Sequence, residues 1–387
     1  MSLILRTLLK VRIRIFNINI GSMFDFYIDT VISNYGEFNP WENMTDPFVY
    51  DPKKSYFELV VGTNDTTRFS YLLEREIMTG TSVFLTGTTG VGKTIIAGET
   101  FQKLREKNFY SIMLSFSSQT DSLQIQETIE SKLERKKKTL LTGNFGKRVI
   151  LFIDDVNMPS YDLFGSQPVI ELIRQLKDVS GFYDREKLFW KDIENTTLIC
   201  AAAPPSGGRK VLSNRFTSHF HILNLPTTSE DSLTIIFESI LNGFLLDFPM
   251  EIKGYANVMV KSTLKVYFKI SKELLPTPQK THYSFNLRDV SKVFQGMLMC
   301  QPSTVKDENT FIKVWIHECS RVFYDRLVNK TDKEWFLGFI NKLLVHDFKA
   351  DWDLNDTRSI PIMFGDYYRK GVELEDKVYE EVRVCAE

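Results

Sequence analysis

One stretch, FLTGTTGVGKTIIAG, constrains the fold of this chain more than any other. Gly87, Gly90 and Gly92 let the backbone turn tightly, so that its N–H groups can converge on phosphate oxygens. Lys93 adds a cation for the β- and γ-phosphates of ATP, and Thr94 offers a hydroxyl to Mg²⁺. The stretch follows an apolar run and opens a helical pattern, as a phosphate-binding loop requires. The predicted nucleotide-binding residues of this loop are Gly87, Thr88, Thr89, Gly90, Val91, Gly92, Lys93 and Thr94.

A phosphate-binding loop needs an acidic partner at the end of a neighbouring strand. The run VILFIDDVNMP provides one, because five apolar residues lead into Asp154 and Asp155. Two adjacent carboxylates after a buried strand are costly unless a cation or solvent meets them. We expect Asp154 to hold the water shell of Mg²⁺ and Asp155 to face the water that attacks the terminal phosphate. Together the two motifs predict binding of ATP with Mg²⁺.

Short apolar runs alternate with segments of helical periodicity, which is typical of a parallel α/β sheet. Near-continuous apolar runs such as VILFI and TLICAA predict a sheet that is covered on both faces. A helix is predicted over about residues 123–137, and the basic run 135–138 is interpreted as its solvated last turn. After residue 225 only helices are predicted, over about 229–346, with a break at the two prolines of LPTPQKTHYS. The predicted strands are 83–86, 111–116, 149–153, 197–202 and 221–225.

Composition and charge exclude several classes of partner. The 387 residues carry 48 Lys and Arg against 49 Asp and Glu, a balance that gives no electrostatic reason to expect a nucleic acid. No apolar run approaches the roughly 18 residues that a membrane span needs. The four cysteines are scattered, without the spacing of a zinc or redox site, which predicts a reduced intracellular protein. We therefore expect neither a nucleic acid nor a membrane as partner.

Four motifs in order identify a family: DDVNMP, GSQPVIELIRQ, GFYDREKLFWK and APPSGGR. Their combination resembles the third AAA+ module of axonemal dynein heavy chains, and the resemblance covers about residues 24–368. It implies an α/β fold, a P-loop NTPase AAA+ module with a parallel five-stranded sheet flanked by helices, followed by a small all-helical lid domain. The domains expected from it are an N-terminal extension with an inter-module connection (1–55), a large nucleotide-binding domain (56–228), the lid (229–350) and a C-terminal connection towards the next module (351–387).

The resemblance also implies partners and a location. A dynein heavy chain carries six such modules in one ring, so this chain is expected to be a fragment or a truncated gene model that contacts neighbouring AAA+ modules. Through the full motor it would act with dynein intermediate and light chains and with microtubules, in the cytoplasm, the cytoskeleton and the axoneme of a cilium or flagellum. The first 26 residues are basic, apolar and free of acid until Asp25. They are interpreted as a targeting peptide, a buried strand or an artefactual start of the reading frame.

The family pattern carries over unevenly to the residues expected to drive hydrolysis. Asp155 stands where many AAA+ proteins place Glu, one methylene longer, and in-line positioning is sensitive to about an ångström. Ala203 stands where AAA+ enzymes generally have an Asn that orients the attacking water. These two departures affect hydrolysis and spare binding. We therefore expect a nucleotide that is held, with slow turnover, and the enzymatic activity is left open.

Two arginines are expected to reach phosphates. The resemblance implies that Arg215 is an arginine finger for the neighbouring module, and the alternative is an exposed Arg at the end of a helix. It implies that Arg288 is a sensor that reaches the γ-phosphate within the same module. The alternative for Arg288 is an ion pair with Asp289 or another nearby acid. A bidentate guanidinium suits phosphate, so Lys is a poor substitute at either place.

Three further segments leave alternatives open. The run FELVV, which contains Val60 and Val61, is interpreted as an apolar wall for adenine or as a plain edge strand. GFYDREKLFWKDI predicts a hairpin whose aromatic residues either project towards the dynein linker or form local core. His317, Glu318 and Cys319 of WIHEC are expected to lie on the lid surface and not to bind a metal, because adjacent helical residues point in different directions.

Two functions besides the dynein module remain open. One is a stand-alone AAA+ remodelling ATPase that forms its own homo-oligomeric ring, against which Ala203 argues. The other is a purely structural ring segment with an empty pocket, against which the intact Lys93, Thr94 and Asp154 argue.

Overall fold

The computed structural model describes residues 23–29, 37–349, 362–367, 369 and 377–382. The interpretation of the first 22 residues therefore lies outside the described residues. The strands are β1 (Phe26–Asp29), β2 (Glu37–Pro40), β3 (Val83–Thr86), β4 (Phe109–Ser115), β5 (Glu134–Lys137), β6 (Leu140–Thr142), β7 (Arg148–Asp154), β8 (Gly181–Tyr183), β9 (Trp190–Ile193), β10 (Thr196–Ala202), β11 (His221–Asn224), β12 (Phe364–Gly365) and β13 (Glu380–Glu381). The helices are α1 (Asn64–Thr79), α2 (Lys93–Arg105), α3 (Ser122–Ser131), α4 (Pro168–Val179), α5 (Asn214–Thr217), α6 (Glu230–Phe244), α7 (Met250–Lys253), α8 (Ala256–Glu273), α9 (Leu287–Met297), α10 (Glu308–Cys319) and α11 (Lys330–His346).

The central sheet has five parallel strands in the order β11-β3-β10-β7-β4. This confirms the five predicted strands and the predicted fold class. The register aligns the carboxyl ends, since Ala202 is opposite Thr86 and Asp154 is opposite Ser115. Because ligands of open α/β sheets bind outside the carboxyl ends of the strands, this edge is where a site is expected.

Both faces of the central sheet are covered, as the apolar runs predict. On β7, Ile150 and Phe152 pack into one core with residues of α1 and α2. The alternate residues Leu151 and Ile153 pack into another core with residues of α3 and α4. All four side chains are at most 1% exposed, and each contributes on the order of 1.5–3 kcal/mol by leaving water. The sheet is therefore a rigid support for the loops at its carboxyl edge.

A second sheet has the order β5-β6-β9-β8, and it corrects the prediction for residues 135–138. Helix α3 ends at Ser131, and residues 135–137 of the basic run belong to β5, which pairs antiparallel with β6, while Lys138 lies in the turn after it. Pairing with a partner strand overrides the helical propensity of Lys and Arg. The charges lie on an exposed edge strand, where they discourage pairing with another chain. The predicted hairpin is confirmed as β8 and β9, with Phe182 in the core and Tyr183 exposed.

Helices α6 to α11 form the predicted all-helical lid around a core of their own, which includes Phe294, Phe311 and Trp315. The indole N–H of Trp315 donates to the Thr263 hydroxyl at 2.8 Å. The expectation that WIHEC lies on the surface is wrong for Glu318 and Cys319, which are 1% and 0% exposed. Half of the residues of α10 are apolar, and all six of them are buried, so the helix is largely enclosed. Among the described residues no cluster of three or more His, Cys, Asp or Glu is placed to hold a metal ion.

Glu318 can be buried because its carboxylate accepts three hydrogen bonds. Arg321 donates to Oε2 through Nη2 at 2.6 Å and through Nε at 2.9 Å, and the Tyr379 hydroxyl donates to Oε1. The carboxylate lies directly against Gly296 of α9, where a Cβ atom would overlap it. Gly296 therefore leaves the space that this buried acid occupies.

Substituting Gly296 with Ala is expected to destabilise the chain by about 1–3 kcal/mol, because Glu318 cannot move aside without losing Arg321 and Tyr379. Gly338→Ala is the matched control: Gly338 lies inside α11, and no atom lies within 4 Å of the place that a Cβ would take there. At that position the change should stabilise by about 0.5–1 kcal/mol through helix propensity. Denaturant unfolding measures the free energy of unfolding of both variants. A change of the same sign in Gly296→Ala and Gly338→Ala would contradict the packing argument.

Candidate functional site

The phosphate-loop residues form a tight turn between β3 and α2. Gly87, Gly90 and Gly92 have φ angles of 152°, 91° and 85°, conformations that glycine adopts without steric cost. A Cβ at Gly87 would lie 2.7 Å from the carbonyl oxygen of Leu225. Helix α2 begins at Lys93 directly after the loop, so its unpaired N–H groups and its positive dipole end face the same space.

The side chain of Lys93 points back into this loop, and the residue is only 9% exposed. Its Nζ donates to the carbonyl oxygens of Gly87 at 2.9 Å and of Thr88 at 2.8 Å. Thr88 and Thr89 lie on the exposed side of the loop, and Val91 is buried beneath it. The loop therefore holds one ammonium group at its centre, where a phosphate chain would need it.

Thr94 and Asp154 come together although they are 60 residues apart. The Thr94 hydroxyl donates to Oδ2 of Asp154 at 2.6 Å, and Oδ1 of the same carboxylate accepts the N–H of Asp155 at 2.9 Å. Hydroxyl and carboxylate oxygens are the donors that Mg²⁺ prefers, and Mg²⁺ at phosphate sites usually takes only one or two protein carboxylates. This donor set fits the predicted magnesium site.

Asp155 and Ala203 lie where the sequence places them, at the ends of β7 and β10. Asp155 has a φ of 49°, in the left-handed region that non-glycine residues rarely adopt. Ala203 is 5% exposed, and its carbonyl oxygen accepts the side-chain amide of Asn157 at 2.8 Å. The methyl group of Ala203 offers neither a donor nor an acceptor.

Arg209 is a site residue that the sequence interpretation did not include. Its Nη2 lies 3.6 Å from Oδ1 of Asp155, and its Nε is buried without a hydrogen-bond partner among the described residues. The signal that points to it is the GGR sequence soon after the end of a strand that carries the site. Arg209 directly follows Gly207 and Gly208, which have φ angles of 58° and 93°.

The electrostatics around Lys93 link these residues. Burial lowers the pKa of the Lys93 ammonium, the carboxylates of Asp154 and Asp155 raise it, and the positive charges of Arg209 and Arg288 lower it further. The net direction is downward. The charges of the two guanidinium groups therefore act on Lys93 in the same direction as burial, and those of the two carboxylates oppose it.

Arg288 and Arg215 occupy different positions relative to the loop. Arg288 is an exposed residue at the start of α9, next to Leu287, whose Cβ is 3.3 Å from where a Cβ of Gly90 would lie. Among the described residues Asp289 pairs with Arg326 at 2.7 Å and with Lys292 at 3.6 Å, and no ion pair between Asp289 and Arg288 is seen. The sensor role of Arg288 stays a prediction. Arg215 is exposed on the short helix α5, as either of its two interpretations requires.

Beside the loop is a largely apolar cavity of about 190 Å³. Val60 and Val61 line it, and so do Val91 of the loop and Ile236 and Leu287 of the lid. The alternative that FELVV is a plain edge strand is wrong, since its start forms a 3₁₀ turn (Tyr56–Glu58) and its end pairs with no strand in the described part of the chain. The other interpretation, a wall for adenine, stays a prediction.

No helix among the residues that the structure describes is long and apolar enough to span a bilayer.

Two family models match this chain. The model described as "P-loop containing dynein motor region" matches residues 48–228, and the model of the AAA+ lid domain matches residues 259–357. Among solved structures, the Thermotoga maritima RuvB Holliday junction branch migration motor aligns over 79% of this chain and 83% of its own, with 19% identity and a TM-score of 0.39.

Three relatives carry the comparison further. The chain is 45% identical to Homo sapiens dynein axonemal heavy chain 6, over 94% of this chain and 9% of that protein. It is 37% identical to Mus musculus dynein axonemal heavy chain 2, over 94% of this chain and 8% of that protein, and 36% identical to Homo sapiens dynein axonemal heavy chain 1, over 88% and 8%. It thus spans less than a tenth of the length of these relatives. With the observed sheet, loop and lid, these likenesses confirm the resemblance: the chain belongs to the axonemal dynein heavy chain family, as an AAA+ module of the motor region.

Proposed function

We propose that this chain is a nucleotide-binding module, third in the ring of an axonemal dynein heavy chain, that binds ATP with Mg²⁺ and turns it over slowly. The observation that carries the proposal is the hydrogen bond of 2.6 Å between Thr94 and Asp154. It brings the hydroxyl of the phosphate loop to the carboxylate at the end of β7. Slow turnover agrees with a regulatory role, in which the occupied site sets the state of the module.

Each residue of the site has an assigned part in binding. The loop N–H groups and the start of α2 would bind the α- and β-phosphates, and Lys93 would exchange its two carbonyl acceptors for phosphate oxygens. Thr94 and Asp154 would hold Mg²⁺, which supplies charge neutralisation at the phosphates. The apolar cavity beside Val60 and Val61 would take the adenine ring. Arg288 would approach the terminal phosphate from the lid, and Arg215 would serve the neighbouring module.

Hydrolysis is proposed to be slow for two reasons. Asp155 is one methylene short for a base that must reach a water in line with the terminal phosphate. Ala203 cannot help to orient that water. General-base catalysis contributes about 10²–10⁴-fold, so a misplaced base leaves binding intact while most of the rate is lost.

The purified chain is expected to bind Mg²⁺-ATP in an equilibrium titration and to release phosphate at well below about 1 per second, the lower end of ordinary enzymes. A titration followed by a steady-state phosphate assay on the same sample checks both halves. Turnover of several per second would overturn the proposed slow hydrolysis, and no detectable binding would overturn the proposed site.

The proposal extends to the surroundings of the module. The printed names of its relatives are those of axonemal dyneins, so we infer a place in the cytoskeleton of a cilium or flagellum and a part in microtubule-based movement. Its direct partners would be neighbouring AAA+ modules of the same heavy chain. Intermediate and light chains and microtubules would be reached only through the full motor. Nothing in the comparisons favours the stand-alone homo-oligomeric ring.

A further inference from the structure

Arg209 is neither a solvated surface residue nor a fully paired one. Its side chain is 20% exposed, and its one ionic contact among the described residues, with Asp155, is 3.6 Å long. Hydrogen-bonded pairs of this type have N–O distances of about 2.7–2.9 Å. The Nε group is buried and donates to no described residue. A buried, unsatisfied donor of a charged group is costly, which indicates that another acceptor belongs there.

The loop that carries Arg209 is held at both ends by one residue. The side-chain amide of Asn157 donates to the carbonyl oxygen of Ala203 at 2.8 Å, and the backbone carbonyl of Asn157 accepts the N–H of Lys210 at 2.8 Å. Between these anchors, Gly207 and Gly208 take left-handed φ angles. The anchors fix the base of Arg209 next to the Asp155 carboxylate, while the two glycines allow the chain to turn towards it.

The position of Arg209 is at the phosphate end of the site. Its contact residue Asp155 adjoins Asp154, whose carboxylate accepts the Thr94 hydroxyl. The loop starts at Ala203, directly after β10. The Arg209 guanidinium therefore comes from the strand end at which Ala203 offers no polar side chain to orient a water.

We propose that Arg209 discriminates nucleoside triphosphates from diphosphates at this site, by exchanging its loose contact with Asp155 for the terminal phosphate. The inference rests on the proposed function and names a residue that sets its specificity. The planar guanidinium binds phosphate oxygens bidentately and has an unused Nε donor to offer. A diphosphate leaves Arg209 on Asp155, so only a triphosphate gains the contact.

The test is the ratio of two affinities in the whole chain. Mg²⁺-ADP and the slowly hydrolysed analogue Mg²⁺-ATPγS are titrated separately by fluorescence, with displacement of a labelled nucleotide. Arg209→Gln is expected to weaken ATPγS by about 10- to 100-fold, the range of a charged hydrogen bond, and to change ADP by less than about 3-fold. Lys210→Gln is the matched control. It removes a positive charge one residue away, keeps the backbone N–H that Asn157 holds, and should leave both affinities unchanged.

A double-mutant cycle separates direct contact from a structural role. Asp155→Asn removes the competing carboxylate and is expected to strengthen ATPγS binding when Arg209 is present, but not together with Arg209→Gln. Arg209→Lys keeps the positive charge without the bidentate guanidinium, and its affinity for ATPγS should lie between those of the unsubstituted chain and Arg209→Gln. Equal weakening of ADP and ATPγS in Arg209→Gln, or no weakening of either, would overturn the inference while the unsubstituted chain still binds both. Failure of the unsubstituted chain to bind any nucleotide would instead overturn the proposed function.

Discussion

Lys93→Ala is expected to lower the affinity for Mg²⁺-ATP by about 100-fold or more, because it removes the ammonium at the centre of the phosphate loop. Deleting one partner of a buried charge pair costs about 2–5 kcal/mol, and each 1.4 kcal/mol is tenfold in affinity. The substitution also leaves the carbonyl groups of Gly87 and Thr88 without the donor that now holds them. Isothermal titration of the variant against the unsubstituted chain measures the loss.

The same helix offers a matched control for this variant. Lys103 lies in the last turn of α2, where it pairs with Glu99 at 3.0 Å and is largely exposed. Lys103→Ala removes an equal charge from the same helix but should leave nucleotide affinity unchanged, because Lys103 lies at the end of the helix that is far from the loop. The loss of its exposed ion pair should lower the free energy of unfolding by only about 0.3–0.5 kcal/mol. Retained ATP affinity in Lys93→Ala would contradict the assignment of the loop.

Restoring the two departures from the AAA+ pattern is expected to raise the rate of ATP hydrolysis. The double variant Asp155→Glu, Ala203→Asn returns the longer base and a polar side chain beside the expected water position. We expect kcat to rise by about 10²–10³-fold, within the range that base placement and positioning supply. A steady-state phosphate assay at saturating Mg²⁺-ATP measures the change.

Two further measurements make this gain interpretable. The variant Asp155→Asn, Ala203→Asn introduces the same buried amide without a base, and it should gain no activity. Ala203 is 5% exposed and lies against Asn157, so a larger side chain there is expected to cost about 1–3 kcal/mol of stability. Thermal unfolding of both double variants reports that cost. A folded, nucleotide-binding Asp155→Glu, Ala203→Asn variant without faster hydrolysis would contradict our explanation of slow turnover.

The sequence predicts those parts of the fold in which local pattern and tertiary packing agree. The apolar runs at β7 and β10 are buried on both faces of the sheet, and the loop from Gly87 to Thr94 follows its strand and opens its helix as predicted. Residues 135–138 were not predictable in this way. Their Lys and Arg residues suit a solvated helix end, and only the pairing of β5 with β6 makes residues 135–137 a strand.

The site itself is predicted only where a motif marks it. Thr94 and Asp154 each belong to a recognisable pattern, and the parallel register brings them together. Arg209 ends the APPSGGR motif, but that motif marks the family and not the role of this arginine, which depends on the long-range contact with Asp155 and on the two anchors at Asn157. Glu318 was misjudged for a similar reason: its burial depends on Tyr379, which lies 61 residues further along the chain.

Helix α9 links the nucleotide pocket mechanically to the last described residues of the chain. It begins at Leu287, against the Gly90 turn, and near its other end Gly296 lies against Glu318, to which Tyr379 bonds. Its 11 residues make a rod about 16 Å long. A tilt of this rod, started by a displaced Leu287, would move the last described stretch of the chain by way of two side-chain contacts. Occupancy of the pocket would in this way shift residues 377–382 through side-chain contacts alone, and no loop would have to fold or unfold.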